Sequence, residues 1–139
     1  MGQGRVQDAI GHYEQALQLK PDLAGAHNNL AAALIRQGRV QDAIGHYEQA
    51  LRLEPDFAAV HNNLGVALAR LGKLPEAIGH YEQALRLKPD FAEAHFDLGL
   101  ALERAGRGQE AIPHYEQTLR LRPDLVQAHE ALARVRAVQ

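Results

Sequence analysis

The chain has 139 residues, of which 46% are hydrophobic and 23% are charged, enough for one domain with a buried core. Lysine and arginine together number 15, against 17 acidic residues, and the formal charge of -2 disfavours a non-specific nucleic-acid binder. The chain has no cysteine, which excludes a disulfide framework and any thiolate metal site.

The sequence also lacks the patterns that direct a chain to a membrane. Its first residues are polar and contain no apolar signal region. No uncharged apolar run approaches the ~20 residues needed to span a bilayer. The absence of cysteine favours a reducing compartment. We therefore expect a cytoplasmic protein with no membrane partner.

The sequence repeats every 34 residues, and residues 3–17 recur unchanged as residues 37–51. The same interval separates the members of four further columns: Pro21, Pro55, Pro89 and Pro123; Tyr13, Tyr47, Tyr81 and Tyr115; His27, His61, His95 and His129; His12, His46, His80 and His114. Such a period indicates stacked supersecondary units that share one continuous core.

Each unit contains two patterns of helical periodicity, with apolar residues on one face. In chain order, the patterns predict helices near residues 5–19, 23–36, 39–53, 57–70, 74–87, 91–104, 108–121 and 125–137. The helix that follows each Pro-Asp pair is the first helix of a unit, and the next is the second helix.

Local signals support these boundaries. Gly38, Gly72 and Gly106 are predicted to end first helices by adopting a left-handed conformation. Two Pro-Asp segments, Asp90 with Glu93 and Asp124 with Gln127, resemble capping boxes at the start of first helices. Glutamate and arginine four residues apart on second helices predict ion pairs: Glu48–Arg52, Glu82–Arg86 and Glu116–Arg120.

The unit resembles the tetratricopeptide repeat. The residues that carry the resemblance are His61, Leu64, Gly65, Leu68, Ala77, Tyr81, Ala84 and Pro89. The resemblance implies an all-α fold, a right-handed superhelix of antiparallel helix pairs, whose usual role is protein–protein interaction. It divides a single domain, residues 1–139, into a half repeat (3–23), three full repeats (24–57, 58–91 and 92–125) and a terminal half repeat (126–139).

The incomplete repeats at both ends suggest either a piece of a longer array or a chain that pairs with a second copy. In the second case the unpaired end helices would form a homo-oligomer. We expect Ile10, Tyr13 and Leu17 to be exposed on the N-terminal helix. Glycines inside second helices, Gly11, Gly45 and Gly79, are expected to allow close packing.

In this family the first helices line a concave groove, which implies that a protein or peptide partner binds there. The groove residues expected to contact it are Asn28, Asn29, Arg36, Asn62, Asn63, Val66, Arg70, Phe96, Asp97, Leu100, Arg104 and Arg134. The asparagines are similar to a ladder in bacterial repeat proteins of the O-linked N-acetylglucosamine transferase type, where carboxamides bind a peptide backbone. The alternative is that they only solvate an exposed face.

Two further groove features have two interpretations each. Arg36, Arg70 and Arg104 would bind acidic groups, or they would interact with the negative ends of their own helices. Phe96 would anchor a partner, or it would pack between neighbouring first helices. The set of Lys, Asn and Arg residues used by chaperone-binding members of the family is absent, so that ligand is disfavoured.

The sequence offers no catalytic or metal site. Serine is absent and Thr118 is the only threonine, so a hydroxyl nucleophile has almost no candidate. The histidines lack metal-binding spacing, and no glycine-rich phosphate loop indicates a cofactor. We predict a non-catalytic scaffold without a metal or cofactor. Two alternatives remain: a self-associating structural module, or the substrate-recruiting region of a larger enzyme such as a glycosyltransferase.

Overall fold

The computed structural model describes residues 3–138, which form eight α-helices and, within that range, no strand. In chain order they are α1 (Gln3–Leu19), α2 (Ala24–Arg36), α3 (Val40–Leu53), α4 (Ala58–Arg70), α5 (Leu74–Leu87), α6 (Ala92–Arg104), α7 (Gly108–Leu121) and α8 (Val126–Ala137). The even-numbered helices are the predicted first helices, and the odd-numbered helices are the second. The all-α prediction is confirmed.

The helices stack into a superhelix with the even-numbered helices on the inside. Every helix packs against its neighbours in the chain. Among the described helices, the even-numbered ones also contact the equivalent helix of the next repeat, whereas the odd-numbered ones do not. Helices that touch across repeats are closer together than helices that do not. The stack is therefore concave on the face formed by α2, α4, α6 and α8.

A tyrosine packed against a glycine brings the two helices of a repeat close together. Tyr81 on α5 is 2% exposed, and a Cβ atom built on Gly65 of α4 would lie 2.6 Å from its Cε1 atom. Gly99 and Tyr115 repeat this contact in the next unit. Because glycine has no side chain, the ring occupies the volume that a methyl group would otherwise fill.

This contact predicts that Gly65→Ala lowers the free energy of unfolding by roughly 1–3 kcal/mol, the usual cost of overpacking a core. Gly79→Ala is the matched control, since a Cβ there meets no atom within 4 Å. It should stabilise the protein by about 1 kcal/mol, because alanine is the better helix former. Denaturant unfolding of both variants measures the difference, and equal stabilities would contradict the packing account.

The prediction that Gly11, Gly45 and Gly79 allow close packing is wrong. All three are exposed, and a Cβ at any of them would have open space. The glycines that do permit close packing lie instead on the even-numbered helices.

The glycines after the first helices end them as predicted. Gly38, Gly72 and Gly106 have φ angles of 77°, 77° and 80°. At the end of α2, the N–H of Gly38 donates to Ile35 (2.9 Å) and that of Arg39 donates to Leu34 (2.9 Å). These two bonds form a Schellman motif, which satisfies the last carbonyl groups of the helix.

The capping boxes proposed at Asp90 with Glu93 and at Asp124 with Gln127 are wrong. The N-cap residues are Phe91 and Leu125, and neither cap has a side-chain hydrogen bond. The N–H of Phe91 donates to the Lys88 carbonyl at 3.1 Å, which closes a turn around Pro89 and Asp90. Asp90 therefore lies within the turn, one residue too early to cap the helix.

The three predicted Glu–Arg pairs on second helices are also wrong. Each arginine instead donates to a glutamine three residues earlier: Arg52 to Gln49, Arg86 to Gln83 and Arg120 to Gln117. Glu116 accepts a bond from Arg136 of α8, at 2.7 Å. On an exposed helix face the i,i+3 and i,i+4 partners compete at similar energies, so spacing alone does not select one.

The N-terminal helix is better covered than expected. Ile10 is 3% exposed, so the prediction of its exposure is wrong. Tyr13 and Leu17 are partly buried and pack against the core. Among the large hydrophobic residues described on this helix, the exposed one is Leu19 at its end, at 89%. The apolar face of α1 is therefore directed at α2.

A pair of histidines joins the two helices of each complete repeat. The Nδ1 atoms of His61 and His80 lie 3.1 Å apart, and Nε2 of His61 donates to the Pro55 carbonyl at 2.9 Å. His27 with His46, and His95 with His114, form the same pair at 3.1 Å. Burial lowers the pKa of His80, and the nearby His61 lowers it further. The two histidine columns therefore meet, a contact that their spacing in sequence did not suggest.

These pairs predict that stability falls as the pH is lowered from 7 to 5. Burial lowers the pKa of His46, His80 and His114 below the ordinary 6.5, so the unfolded chain binds more protons below that pH. The sign is therefore a loss of stability on acidification. Replacing all three with glutamine should flatten this part of the pH profile of unfolding. His12→Gln, in the same column but exposed, is the control and should leave the profile unchanged.

Candidate functional site: a cleft in the concave face

A cleft of about 380 Å³ opens on the concave face between α4, α6 and α8. Its lining combines small or apolar side chains with charged ones: Val66, Ala69, Arg70, Tyr81, Asp97, Leu100, Ala101, Glu103, Arg104 and Arg134. Tyr81 comes from α5, and its ring lies at the bottom of the cleft. The Tyr–Gly contact of the repeat therefore also shapes the floor of the cleft.

The structure brings half of the predicted groove residues together in this cleft. Those in the lining are Val66, Arg70, Asp97, Leu100, Arg104 and Arg134. The others, Asn28, Asn29, Arg36, Asn62, Asn63 and Phe96, lie outside it. The predicted groove is thus divided into an asparagine-rich part on α2 and α4 and a charged cleft on α4, α6 and α8.

The asparagines form hydrogen bonds with neighbouring repeats. Nδ2 of Asn63 donates to Oδ1 of Asn28 at 3.1 Å, across the contact between α4 and α2. Asn62 is 6% exposed and its side chain faces Asp97 on α6. Its Oδ1 atom is buried and has no hydrogen-bond partner among the described residues. Asn29 is exposed. Asn29 is therefore the one of these four asparagines whose side chain is open to solvent.

Phe96 packs within its own repeat. Its ring centroid lies 5.9 Å from that of Tyr115, at an interplanar angle of 50°. The side chain is half-buried against the core. This tilted aromatic contact is made with α7, the second helix of the same repeat, and not with a neighbouring first helix as the packing interpretation expected.

Asp97 introduces a half-buried negative charge into the lining of the cleft. Burial raises the pKa of Asp97 to about 6, although the hydrogen bond from Asn62 opposes this and Glu93 adds to it. Burial also raises the pKa of the Tyr81 phenol, and the nearby Asp97 carboxylate raises it further. Asp97 stands where the two previous repeats have asparagine, so this charge is new to the third repeat.

A hydrogen-bonded network fixes Arg134 at the edge of the cleft. Arg134 donates to both carboxylate oxygens of Glu103, at 2.6 and 2.8 Å. The Tyr115 hydroxyl donates to the same carboxylate at 2.7 Å. Hydrogen bonding from Arg134 lowers the pKa of Glu103 and holds it ionised. The network ties α6, α7 and α8 together and neutralises the charge of Arg134.

Arg70 and Arg104 form the uncompensated positive rim of the cleft. Both are exposed at the ends of α4 and α6. Among the described residues, neither has a carboxylate within ion-pair distance. Arg70 acts on Tyr47, whose pKa burial raises to about 12 and Arg70 lowers. Both arginine side chains are part of the lining of the cleft.

Sequence analysis missed four lining residues: Ala69, Tyr81, Ala101 and Glu103. One signal could have identified Glu103. It occupies a column that holds Ile35 and Ala69 in the earlier repeats, so a charge replaces an apolar side chain there. Ala101 carries no such signal, because Ala33 and Ala67 occupy the same column in the earlier repeats.

The described residues contain no helix long and apolar enough to cross a membrane. They also contain no group of three or more His, Asp or Glu side chains arranged to hold a metal ion. What the cleft offers is apolar surface beside charged groups, an arrangement suited to binding.

Comparison with known proteins agrees with this architecture. The family profile described as tetratricopeptide repeat matches residues 33–90, 70–126 and 96–139, and a second, described as TPR repeat, matches residues 1–38. The protein therefore belongs to the class of helical-repeat interaction scaffolds. Within that class, the chain is a member of the tetratricopeptide repeat family. A search of curated proteins found no match.

Solved structures share the fold. A crystal structure of MamA superposes with a TM-score of 0.89 at 25% identity, covering 95% of this chain and 77% of that one. A second crystal structure of MamA gives 0.77 at 27% identity, covering 88% and 67%. The first TPR of Spaghetti (RPAP3), bound to the HSP90 peptide SRMEEVD, gives 0.81 at 23% identity, covering 83% and 91%.

The buried charge predicts that Asp97→Asn stabilises the protein at neutral pH. Since the folded state raises the pKa of Asp97 to about 6, its ionised form lowers the free energy of unfolding above that pH. Removing the charge should add about 1–2 kcal/mol at pH 7.5. The gain should shrink as the pH falls from 6 toward 4, where aspartic acid is neutral in the folded protein. Denaturant unfolding of the variant and of the parent at pH 7.5 and at pH 4 measures this gain in stability.

Asp42→Asn is the control for this experiment. Asp42 is exposed and pairs with Arg39 at 3.0 Å on the outer surface. An exposed pair of this kind contributes roughly 0–1 kcal/mol, so its loss should not stabilise the protein. An Asp97→Asn variant that is less stable than the parent at pH 7.5 would refute the account of the buried charge.

Proposed function

We propose that the chain is a non-catalytic scaffold that binds an extended peptide or protein segment in its concave groove, chiefly at the cleft between α4, α6 and α8. One observation carries the proposal: two of the columns that line this cleft change in chemical character from one repeat to the next. The column of Val66 and Leu100 changes to Arg134 on α8, and the column of Ala69 changes to Glu103.

The outer surface provides the contrast. Glutamate, glutamine and arginine recur without change at the same places of α3, α5 and α7, for example Glu82, Gln83 and Arg86. All three of these columns are on the outer helices and are wholly or partly exposed. Packing does not explain why these three outer columns stay identical while the two concave columns vary. A ligand that contacts the concave positions supplies a reason for the variation.

The chemistry of the cleft supports binding in preference to catalysis. Val66 and Leu100 are half-buried, so they offer apolar surface to a partner without being part of the closed core. Apolar anchors surrounded by polar groups are typical of the centres of protein interfaces. The exposed carboxamide of Asn29 extends the same face toward α2 and supports contact with a peptide backbone there.

We also propose that residues 1–139 act as one domain, with full repeats at residues 24–57, 58–91 and 92–125 flanked by half repeats at 3–23 and 126–139. The continuous packing of each described helix on the next supports this division. In such an array the binding surface is shared by several repeats.

Peptide selection tests the proposal. The purified chain is mixed with a pool of capped synthetic decapeptides randomised at every position, and retained peptides are sequenced and remade for affinity measurement. Replacing Val66 and Leu100 with glutamine should weaken binding about tenfold or more, because it removes the apolar anchor at the centre of the cleft.

The matched control replaces Leu53 and Leu71 with glutamine. Both are 36% exposed leucines outside the cleft, so the chemical change is the same. Circular dichroism confirms that each variant is folded. If no peptide binds, or if both double variants bind as well as the parent, groove binding at this cleft is refuted.

A further inference from the structure

We propose that the cleft selects acidic segments, in which a leucine-like side chain seats between Val66 and Leu100 while neighbouring carboxylates bind Arg70 and Arg104. This inference rests on the proposed groove binding and specifies the chemistry of the partner. It follows from how charge and apolar surface are distributed around the cleft.

The charges of the cleft are unevenly compensated. Of its three arginines, only Arg134 is paired, with Glu103. Arg70 and Arg104 have no carboxylate partner in the described part of the chain, and both are exposed. A guanidinium group binds a carboxylate with two parallel hydrogen bonds, which makes an acidic side chain the natural partner for each.

The spacing of these groups defines one recognition unit. On α4, Arg70 follows Val66 by four residues, and on α6, Arg104 follows Leu100 by four residues. Residues four apart lie on the same face of a helix, one turn from each other. Since α4 and α6 contact each other directly, the two apolar side chains and the two arginines form adjacent rows. The apolar surface and the positive charge offered to a partner are therefore one helical turn apart.

Asp97 gives the cleft a direction. It lies three residues before Leu100 on α6, so the carboxylate is on the opposite side of the apolar surface from Arg104. Its charge, facing Glu93 on its own helix, Asn62 on α4 and Tyr81 on α5, would repel an acidic group placed there. The acidic side chains of a partner are therefore directed to the arginine side, and amide N–H groups to the Asp97 side.

The ends of helices also favour cations, and this could account for Arg70 and Arg104 without a partner. Each is the last residue of its helix, where the helix dipole stabilises a positive charge by about 0.3–1 kcal/mol. Stability and binding therefore have to be measured separately. A helix-end role affects only the first, and recognition of a carboxylate affects the second.

The randomised decapeptide pool provides the first test. Selected peptides should be enriched in glutamate or aspartate within two residues of leucine, isoleucine or valine. Each is then remade with every acidic residue changed to its amide, which preserves shape and removes charge. Binding should fall about tenfold or more, as expected for loss of charged hydrogen bonds. It should also weaken when NaCl is raised from about 50 mM to about 500 mM, because exposed charges are screened.

Charge removal on the protein provides the second test. Arg70→Gln with Arg104→Gln should weaken the acidic peptides about tenfold or more and leave their amide versions unaffected. The control is Arg52→Gln with Arg86→Gln, which removes the same charge from exposed positions on α3 and α5. That control should bind both sets of peptides as the parent does. Circular dichroism and denaturant unfolding are measured on every variant.

The outcomes separate this inference from the proposed function. Peptides that need Val66 and Leu100 but show no acidic enrichment would leave groove binding intact and overturn the acidic specificity. Equal weakening by the two arginine double variants would also overturn it, since a general charge effect would then suffice. The same holds for a loss of stability without a loss of binding. If no peptide depends on Val66 and Leu100, the proposed function itself fails.

Discussion

The approach of the two helices within a repeat is limited by the tyrosine ring that lies between them. Tyr81 contacts the place where a side chain would begin at Gly65, and Tyr115 does the same at Gly99. With the ring in that position, α4 packs closely on α5 and α6 packs closely on α7. The opposite faces of α4 and α6 then contact each other across repeats. The concave surface is a result of that packing, and the ring of Tyr81 also contributes to the floor of the cleft.

The residues that pack the helices together and the residues that line the cleft have changed to different extents among the repeats. The residues that hold helices together, such as the tyrosines and Leu64, recur at the same interval and are buried. Some of those that line the cleft on α6 and α8 depart from the earlier units, and two of the departures act together: Glu103 occurs with the Arg134 that binds it. A substitution that introduces a buried or paired charge needs its partner nearby, which explains why these changes are adjacent in space.

The sequence predicted the helices well because their signals are local. Apolar periodicity and the glycines after the first helices, such as Gly72, placed the boundaries within about two residues, the usual uncertainty of helix ends. Contacts were predicted less well. The capping boxes and the Glu–Arg pairs failed because several partners of similar energy are within reach on an exposed surface. The cleft was half predicted, since its residues come from helices that only the superhelix brings together, and Tyr81 enters it from the second helix.

The histidine pairs have a chemical consequence beyond stability. Because Nε2 of His61 donates to a carbonyl, its Nδ1 in the neutral ring is an acceptor, and His80 must donate from its own Nδ1. The proton on His80 is thereby assigned to Nδ1, and its Nε2 carries a lone pair. The same holds for His46 and His114, because they face His27 and His95, which donate to the carbonyls of Pro21 and Pro89. Each repeat thus contains a short hydrogen-bond chain from the second helix to the proline turn, and all three chains have the same polarity along the superhelix.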